Sequence, residues 1–284
     1  MDPRKLTDEQ KLAMEAMRAR TQAEQQRRAE RWLPRFHARV SHVDGIELPY
    51  RLYVPEKLKP QRRYPIVVFL HGIGECGTDN RAQIAANEGA VVWAEDQEAG
   101  GEPCFILAPQ CPDPMERDEN GEVINARWTP LALRAVAEAL RVVEKTYPID
   151  TTRRYLTGLS LGGYGAWMLN AMTPGTFAAV VTCCPACLYG KPFHAEVDHK
   201  AIGDCALSLD DRPLWMFHAA DDPAVPVLVS REMKSELELN GRVCGRDFFY
   251  TEYPASLGYG HNCWTAAYGD ETMRRWLLAQ RWDR

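Results

Sequence analysis

The run Arg154-Tyr155-Leu156-Thr157-Gly158-Leu159-Ser160-Leu161-Gly162-Gly163-Tyr164-Gly165 decides the fold. It reads as a β-type segment, then Gly-x-Ser-x-Gly, then a helix continuing through Ala166-Trp167-Met168-Leu169-Asn170-Ala171-Met172. A strand-to-helix turn this tight projects its central side chain away from the backbone. Gly158 and Gly162 leave room for close helix–strand packing, where a Cβ would collide. Ser160 then stands above a sheet, with a helix N-terminus behind it whose dipole favours negative charge. Between strand and helix, the motif marks Ser160 as a candidate nucleophile rather than a serine in a plain Gly-rich turn.

Outward from this turn, β-type and helical segments alternate. Phe36-His37-Ala38-Arg39-Val40 and Ile46-Glu47-Leu48-Pro49-Tyr50-Arg51-Leu52-Tyr53-Val54 flank Asp44-Gly45, a hairpin signal. Tyr64-Pro65-Ile66-Val67-Val68-Phe69-Leu70 and Phe105-Ile106-Leu107-Ala108 are continuous apolar runs, as buried parallel strands require. Ala179-Val180-Val181-Thr182-Cys183-Cys184, the run from Arg212 to His218, and Phe248-Phe249-Tyr250-Thr251-Glu252-Tyr253 read as further strands. Helices are expected over residues 81–98, 130–146, 228–239 and from Trp264 to Trp282. The acidic, turn-rich stretch from Asp113 to Arg127 reads as a loop. It is not a calcium loop, because Arg127 stands where a bidentate Glu is required. The connection 185–210 is too short for a lid domain. Such alternation without a repeat or linker predicts one α/β domain: a mostly parallel central sheet flanked by helices, with an N-terminal β-hairpin and no large lid.

Residues 1–34 differ in texture, which divides the chain into an arm and a catalytic domain, 35–284. Thr7-Asp8-Glu9-Gln10 fits a capping box. The helix formers that follow carry a thin apolar stripe of Leu6, Met14, Met17, Trp32 and Leu33. This appended helix packs on the body, mediates a homo-oligomer or stays solvated.

The 284 residues suffice for a sizeable core, and the net charge of −5 with signs interspersed disfavours a nucleic-acid partner. No apolar run reaches membrane-spanning length. Met1-Asp2-Pro3-Arg4-Lys5 leads into no apolar core, so no signal peptide is read. With an odd count of nine cysteines, a reducing cytoplasm is expected. Cys184-Pro185-Ala186-Cys187 has dithiol or half-zinc-site spacing, but no second ligand pair accompanies it, and core packing is expected of these thiols. No metal or cofactor is expected.

In an open parallel sheet, ligands gather beyond the strand C-termini. Four marked loops fall there: His71 to Gly74, Ser160, Asp221 to Pro226, and Gly260-His261. A serine hydroxyl needs a base, and the base needs a carboxylate to fix its tautomer. His261, after the last strand, is the expected base. The acid is Asp221 or Asp222, with Asp222 preferred because it begins the rigid Asp-Pro-Ala-Val-Pro. His71 braces its own loop, and His218 packs at a strand end. The oxyanion of acyl transfer needs aligned N–H donors. Leu161 supplies one and the turn after the first buried strand the other, Ile73 in preference to Gly74. Trp128, Tyr164 and Trp264 are expected to line an open cleft for planar acyl groups.

The sequence resembles the α/β-hydrolase superfamily. More narrowly, it resembles the lidless esterases and peptidases grouped with feruloyl and acetylxylan esterases and polyhydroxybutyrate depolymerases. The likeness is carried by Tyr50-Arg51-Leu52-Tyr53-Val54-Pro55, Phe69-Leu70-His71-Gly72 with Gly74-Glu75, Gly77-Thr78-Asp79-Asn80, Ala108-Pro109-Gln110-Cys111, the Ser160 turn, Phe217-His218 with Asp222 and Val225-Pro226, and Gly260-His261 with Trp264. It covers roughly residues 40–280. It implies a Ser160/Asp222/His261 triad with Ile73 and Leu161 as oxyanion donors. The implied activity is serine hydrolysis of a small-molecule carboxylic ester of aryl, feruloyl or acetyl type, through an acyl-enzyme. The alternatives are a peptidase of the prolyl-oligopeptidase kind, for whose gating domain the chain is too short, and a silent fold used for binding. Cys76 departs from the family pattern, which has Arg in Gly-Glu-Arg-Gly.

Overall fold

A computed structural model of the chain describes residues 8–192, 194–209 and 212–282. The predicted cap Thr7, together with Leu6 and the Met14 side chain, lies outside the described residues. In chain order the elements begin with α1 (Asp8–Trp32), β1 (Phe36–Val43), β2 (Ile46–Tyr53), β3 (Tyr64–Leu70), α2 (Ala82–Ala85), α3 (Val92–Glu98) and β4 (Phe105–Pro109). Next come β5 (Met115–Arg117), β6 (Val123–Ala126), α4 (Pro130–Thr146), β7 (Ile149–Leu159), α5 (Leu161–Met172) and β8 (Ala179–Cys183). The chain closes with β9 (Leu188–Tyr189), β10 (Glu196–Val197), α6 (His199–Ser208), β11 (Leu214–Ala219), α7 (Leu228–Leu239), β12 (Phe248–Tyr253), α8 (Trp264–Gly269) and α9 (Glu271–Ala279).

Eight strands form one sheet in the order β1-β2-β4-β3-β7-β8-β11-β12. The β1–β2 hairpin turns on Asp44 and Gly45, both at positive φ (48° and 83°), as a two-residue turn demands. β2 runs antiparallel to β4, and the six strands from β4 to β12 are parallel. All six C-terminal ends therefore open on one edge, where the marked loops lie. One face of the sheet packs on α4 to α7, through Val136, Trp167, Ile202 and Met233. The other packs on α3, α8, α9 and the end of α1, through Trp93, Tyr268, Met273 and Trp32.

Sequence and structure agree closely on α4, where Thr129 accepts from the Ala132 N–H and Pro130 opens the helix. The expected helix over 81–98 is instead broken between α2 and α3. Asn87 Oδ1 accepts from the Gly89 N–H, and a Cβ on Gly89 would lie 2.3 Å from the Phe69 ring. The terminal helix is likewise divided at Asp270, which caps α9 by accepting from the Thr272 N–H. The stretch expected as a loop between Asp113 and Arg127 holds the β5–β6 hairpin, whose turn is tied by Asp118 Oδ1 to the N–H groups of Asn120 and Glu122.

The end of α1 docks on the body: Trp32 is fully buried, and Arg28 donates to the Ala85 carbonyl. Further back, Leu12 and Met17 are exposed. Among the described residues no helix is long and apolar enough to cross a membrane.

Candidate active site

Ser160 joins β7 to α5 at φ 52°, ψ −121°, a conformation costly for a residue with a Cβ. The surrounding backbone holds it there. The Ser160 N–H donates to the Cys183 carbonyl at 2.9 Å, and the Ser160 carbonyl accepts from the Gly163 and Ala186 N–H groups, each at 2.9 Å. Glycines make the close approach feasible: a Cβ on Gly158 would sit 2.1 Å from the Gly162 carbonyl oxygen, and one on Gly162 2.1 Å from that of Leu70.

His261, in a 3-10 turn after β12, places Nε2 3.0 Å from Ser160 Oγ and Nδ1 2.8 Å from Asp222 Oδ2. The three side chains thus form one hydrogen-bonded line assembled from β7, β11 and β12. Asp222, not Asp221, reaches the imidazole. Asp221 Oδ2 instead accepts from the Gly260 N–H at 3.2 Å, which anchors the loop that presents His261.

The Asp222 side chain has no solvent exposure. Burial alone would raise its carboxyl, but hydrogen bonds from His218, His261 and the Val225 N–H outweigh burial and hold it well below the usual carboxylate range. His218 was expected to serve as packing. It is buried, accepts at Nδ1 from Ser230 Oγ (2.8 Å) and directs Nε2–H toward the Val225 carbonyl (3.1 Å) and Asp222 Oδ2 (3.3 Å). The signal available for this role was its place four residues before the acid. His71 braces its turn as expected. Its Nε2 accepts from the Cys111 N–H, so Nδ1 carries the proton toward the Gly72 carbonyl. Burial pushes this imidazolium down to about 4, so the ring is neutral.

Ile73 opens a 3-10 turn (Ile73–Glu75) and Leu161 opens α5, so neither N–H has an acceptor within its own element. The first turn lies against the serine, since a Cβ on Gly72 would be 3.5 Å from Ser160 Cβ. Glu75, quoted from the sequence only within the family likeness and given no role there, has one carboxylate oxygen on Asn87 Nδ2 at 3.2 Å and the other buried without a hydrogen bond.

The expected cleft wall needs correction. Trp128 is 1% exposed, donates its indole N–H to the His71 carbonyl and packs on Gly165, so it supports the floor of the site. Tyr164, 2% exposed, lies under Arg127, which donates to its hydroxyl. Both rings were drawn inward by apolar burial. Trp264 does stand at the site, half-buried and edge-on to the His261 ring at 5.2 Å.

Cys184 and Cys187 point into opposite cores, one on each face of the sheet, and make no dithiol. Cys184 does approach Asp222 and His261 closely enough for the three to offer ligand atoms to one ion. Two of those groups are already committed to the hydrogen-bonded line.

A serine on a strained strand–helix turn, over the C-terminal edge of a parallel sheet with helices on both faces, is the architecture of an α/β-hydrolase. Residues 41–227 match the family described as "Putative esterase", and the chain belongs to that family. A thermostable esterase of known structure is 37% identical, with a TM-score of 0.71 over 87% of this chain; the chain spans 64% of the length of that protein. The fold alone is shared with two more distant structures. A ferulic acid esterase of Anaeromyces mucronatus, solved with ferulic acid, is 14% identical (TM-score 0.59, 86% of this chain and 90% of that one). An acylaminoacyl peptidase of Pyrococcus horikoshii is 16% identical (TM-score 0.57, 88% of this chain and 43% of that one). No curated protein sequence matches the chain.

Proposed function

We propose that this protein hydrolyses carboxylic esters through an acyl-enzyme on Ser160. The observation that carries the reading is the unbroken line from Ser160 Oγ through His261 to Asp222. Asp222 holds the proton on Nδ1, which leaves the Nε2 lone pair facing the serine. Ser160 Oγ attacks the ester carbonyl as its proton passes to Nε2. Asp222 stabilises the imidazolium, and the Ile73 and Leu161 N–H groups receive the oxyanion. On collapse, the alcohol leaves with the proton from Nε2. Water then attacks the acyl-serine with His261 again as base, and the acid is released.

Aryl, feruloyl and acetyl esters are the proposed substrates. Exposed Ile73, on the turn after β3, and Leu257 and Tyr259, in the segment leading to His261, support an apolar group beside the ester. The free thiols support a reducing compartment. Purified protein tested on p-nitrophenyl esters, methyl ferulate and an acetylated sugar should turn over at least one of them. Ser160→Ala should lower that rate by about 10⁴-fold or more. Turnover that survives the substitution overturns the mechanism.

A further inference from the structure

Nine cysteines are more than the hydrolytic site uses, and two of them meet beside it. Cys76 ends the turn that carries Ile73: its N–H donates to the Ile73 carbonyl at 3.3 Å and its thiol points at the Gly72 carbonyl, 3.8 Å away. Cys111 lies two residues past β4, and its N–H donates to His71. The two segments are already cross-tied on either side of Cys76. Gln110 Nε2 donates to the Glu75 carbonyl at 3.0 Å, and the Gly77 N–H donates to the Cys111 carbonyl at 2.9 Å. Those ties hold Cys76 alongside Cys111, and the Cys76 side chain packs on the core cluster that contains Cys111.

A second group, Cys183, Cys184 and Cys263, lies beneath the His261 loop, with Cys184 donating to the His261 carbonyl at 3.4 Å. All three are fully buried and closed to an oxidant. Cys76 differs in being partly exposed.

We propose that Cys76 and Cys111 are a reversible oxidation site, closed to a disulfide by a hydroperoxide, that gates the oxyanion turn. Cys76, the accessible thiol, reacts first. Its thiolate attacks the peroxide, an S–O bond forms as the O–O bond breaks, and the hydroxide leaves as water. The Cys111 sulfur then displaces hydroxide from the Cys76 sulfenic acid. The S–S bond forms, the S–O bond breaks, and the thiol proton leaves with the hydroxide as a second water. Two thiols and one peroxide give one disulfide and two waters. The neighbouring Cys76 thiol, together with burial, pushes the Cys111 thiol up, so the partly exposed Cys76 is the first to react and Cys111 the resolving partner. Bonded sulfurs approach closer than two unbonded thiols can, so closure draws the turn and its Ile73 N–H toward Cys111. The kinetic consequence rests on the oxyanion role proposed for Ile73; the disulfide does not.

The test treats the full chain with hydrogen peroxide, alkylates the remaining thiols and maps the peptides by mass spectrometry. p-Nitrophenyl acetate turnover is followed before oxidation, after it, and after dithiothreitol. The expected result is a cross-link between the peptides of Cys76 and Cys111. With it should come a loss of about 100-fold, the scale of an ångström-sized misplacement, restored by the reductant. C76S and C111S, active when reduced, should keep their rate after peroxide. No cross-link, or a C76S variant that remains sensitive, overturns the site. A cross-link without loss of rate overturns the gate. Because the peptide map does not depend on turnover, failure of hydrolysis itself is told apart from failure of the thiol pair.

Discussion

Asp222 and Glu75 are carboxyls of one site held in opposite directions. Asp222 loses water but gains hydrogen bonds from two imidazoles and from the Ala224 and Val225 N–H groups, so its charged form wins. Glu75 loses water, and the Asn87 amide and neighbouring backbone N–H groups do not outweigh burial, so its carboxyl is raised. The sign of the stability effect follows. With the folded value above the unfolded one, about 4.3, the proton favours folding at low pH, and that contribution is lost as pH rises through the folded value. Glu75→Gln removes the titration. Its melting temperature should exceed that of the parent by a few degrees near pH 7, with the gain shrinking toward pH 4. An equal difference at both pH values in thermal unfolding would contradict this account. Neither Glu75 nor His218 was legible in the sequence, because each acts through a group brought near by folding. Asp222 was legible, since a proline-stiffened loop at a strand end is a local signal.

At the scale of elements, the legible pieces are those whose causes are local. The Asp44-Gly45 turn, the helix over 130–146 and the apolar β3 run all form as read. The break between α2 and α3 was not legible, because it depends on Gly89 pressing against a Phe69 ring from another element. The same held for Trp128 and Tyr164, whose burial is set by neighbours distant in sequence. The turn at Ser160 is the most constrained junction. Gly162→Ala would put a methyl 2.1 Å from the Leu70 carbonyl oxygen and 2.5 Å from that of His71, both backbone atoms. The variant should be about 3 kcal/mol less stable in urea unfolding. Gly74→Ala, with open space within 4 Å, serves as the tolerated control. Equal midpoints for the two variants would refute the packing argument.

For the molecule as a whole, the parallel strands do the organising. β3, β7, β11 and β12 each end at the same sheet edge, and the loops that follow them carry Ile73, Ser160, Asp222 and His261. Residues roughly 190 apart in sequence therefore meet because topology, not proximity, places them. That convergence was legible from strand–helix alternation and the motifs at strand ends. The docking of α1 was not, since among the described residues its contacts to the body come from Arg28 onward. The central claim is that this convergence makes Ser160 a nucleophile. A fluorophosphonate probe, followed by peptide mapping, measures it most directly. The account predicts stoichiometric labelling at Ser160, lost in Ser160→Ala. A protein left unlabelled, or labelled at another serine, would contradict it.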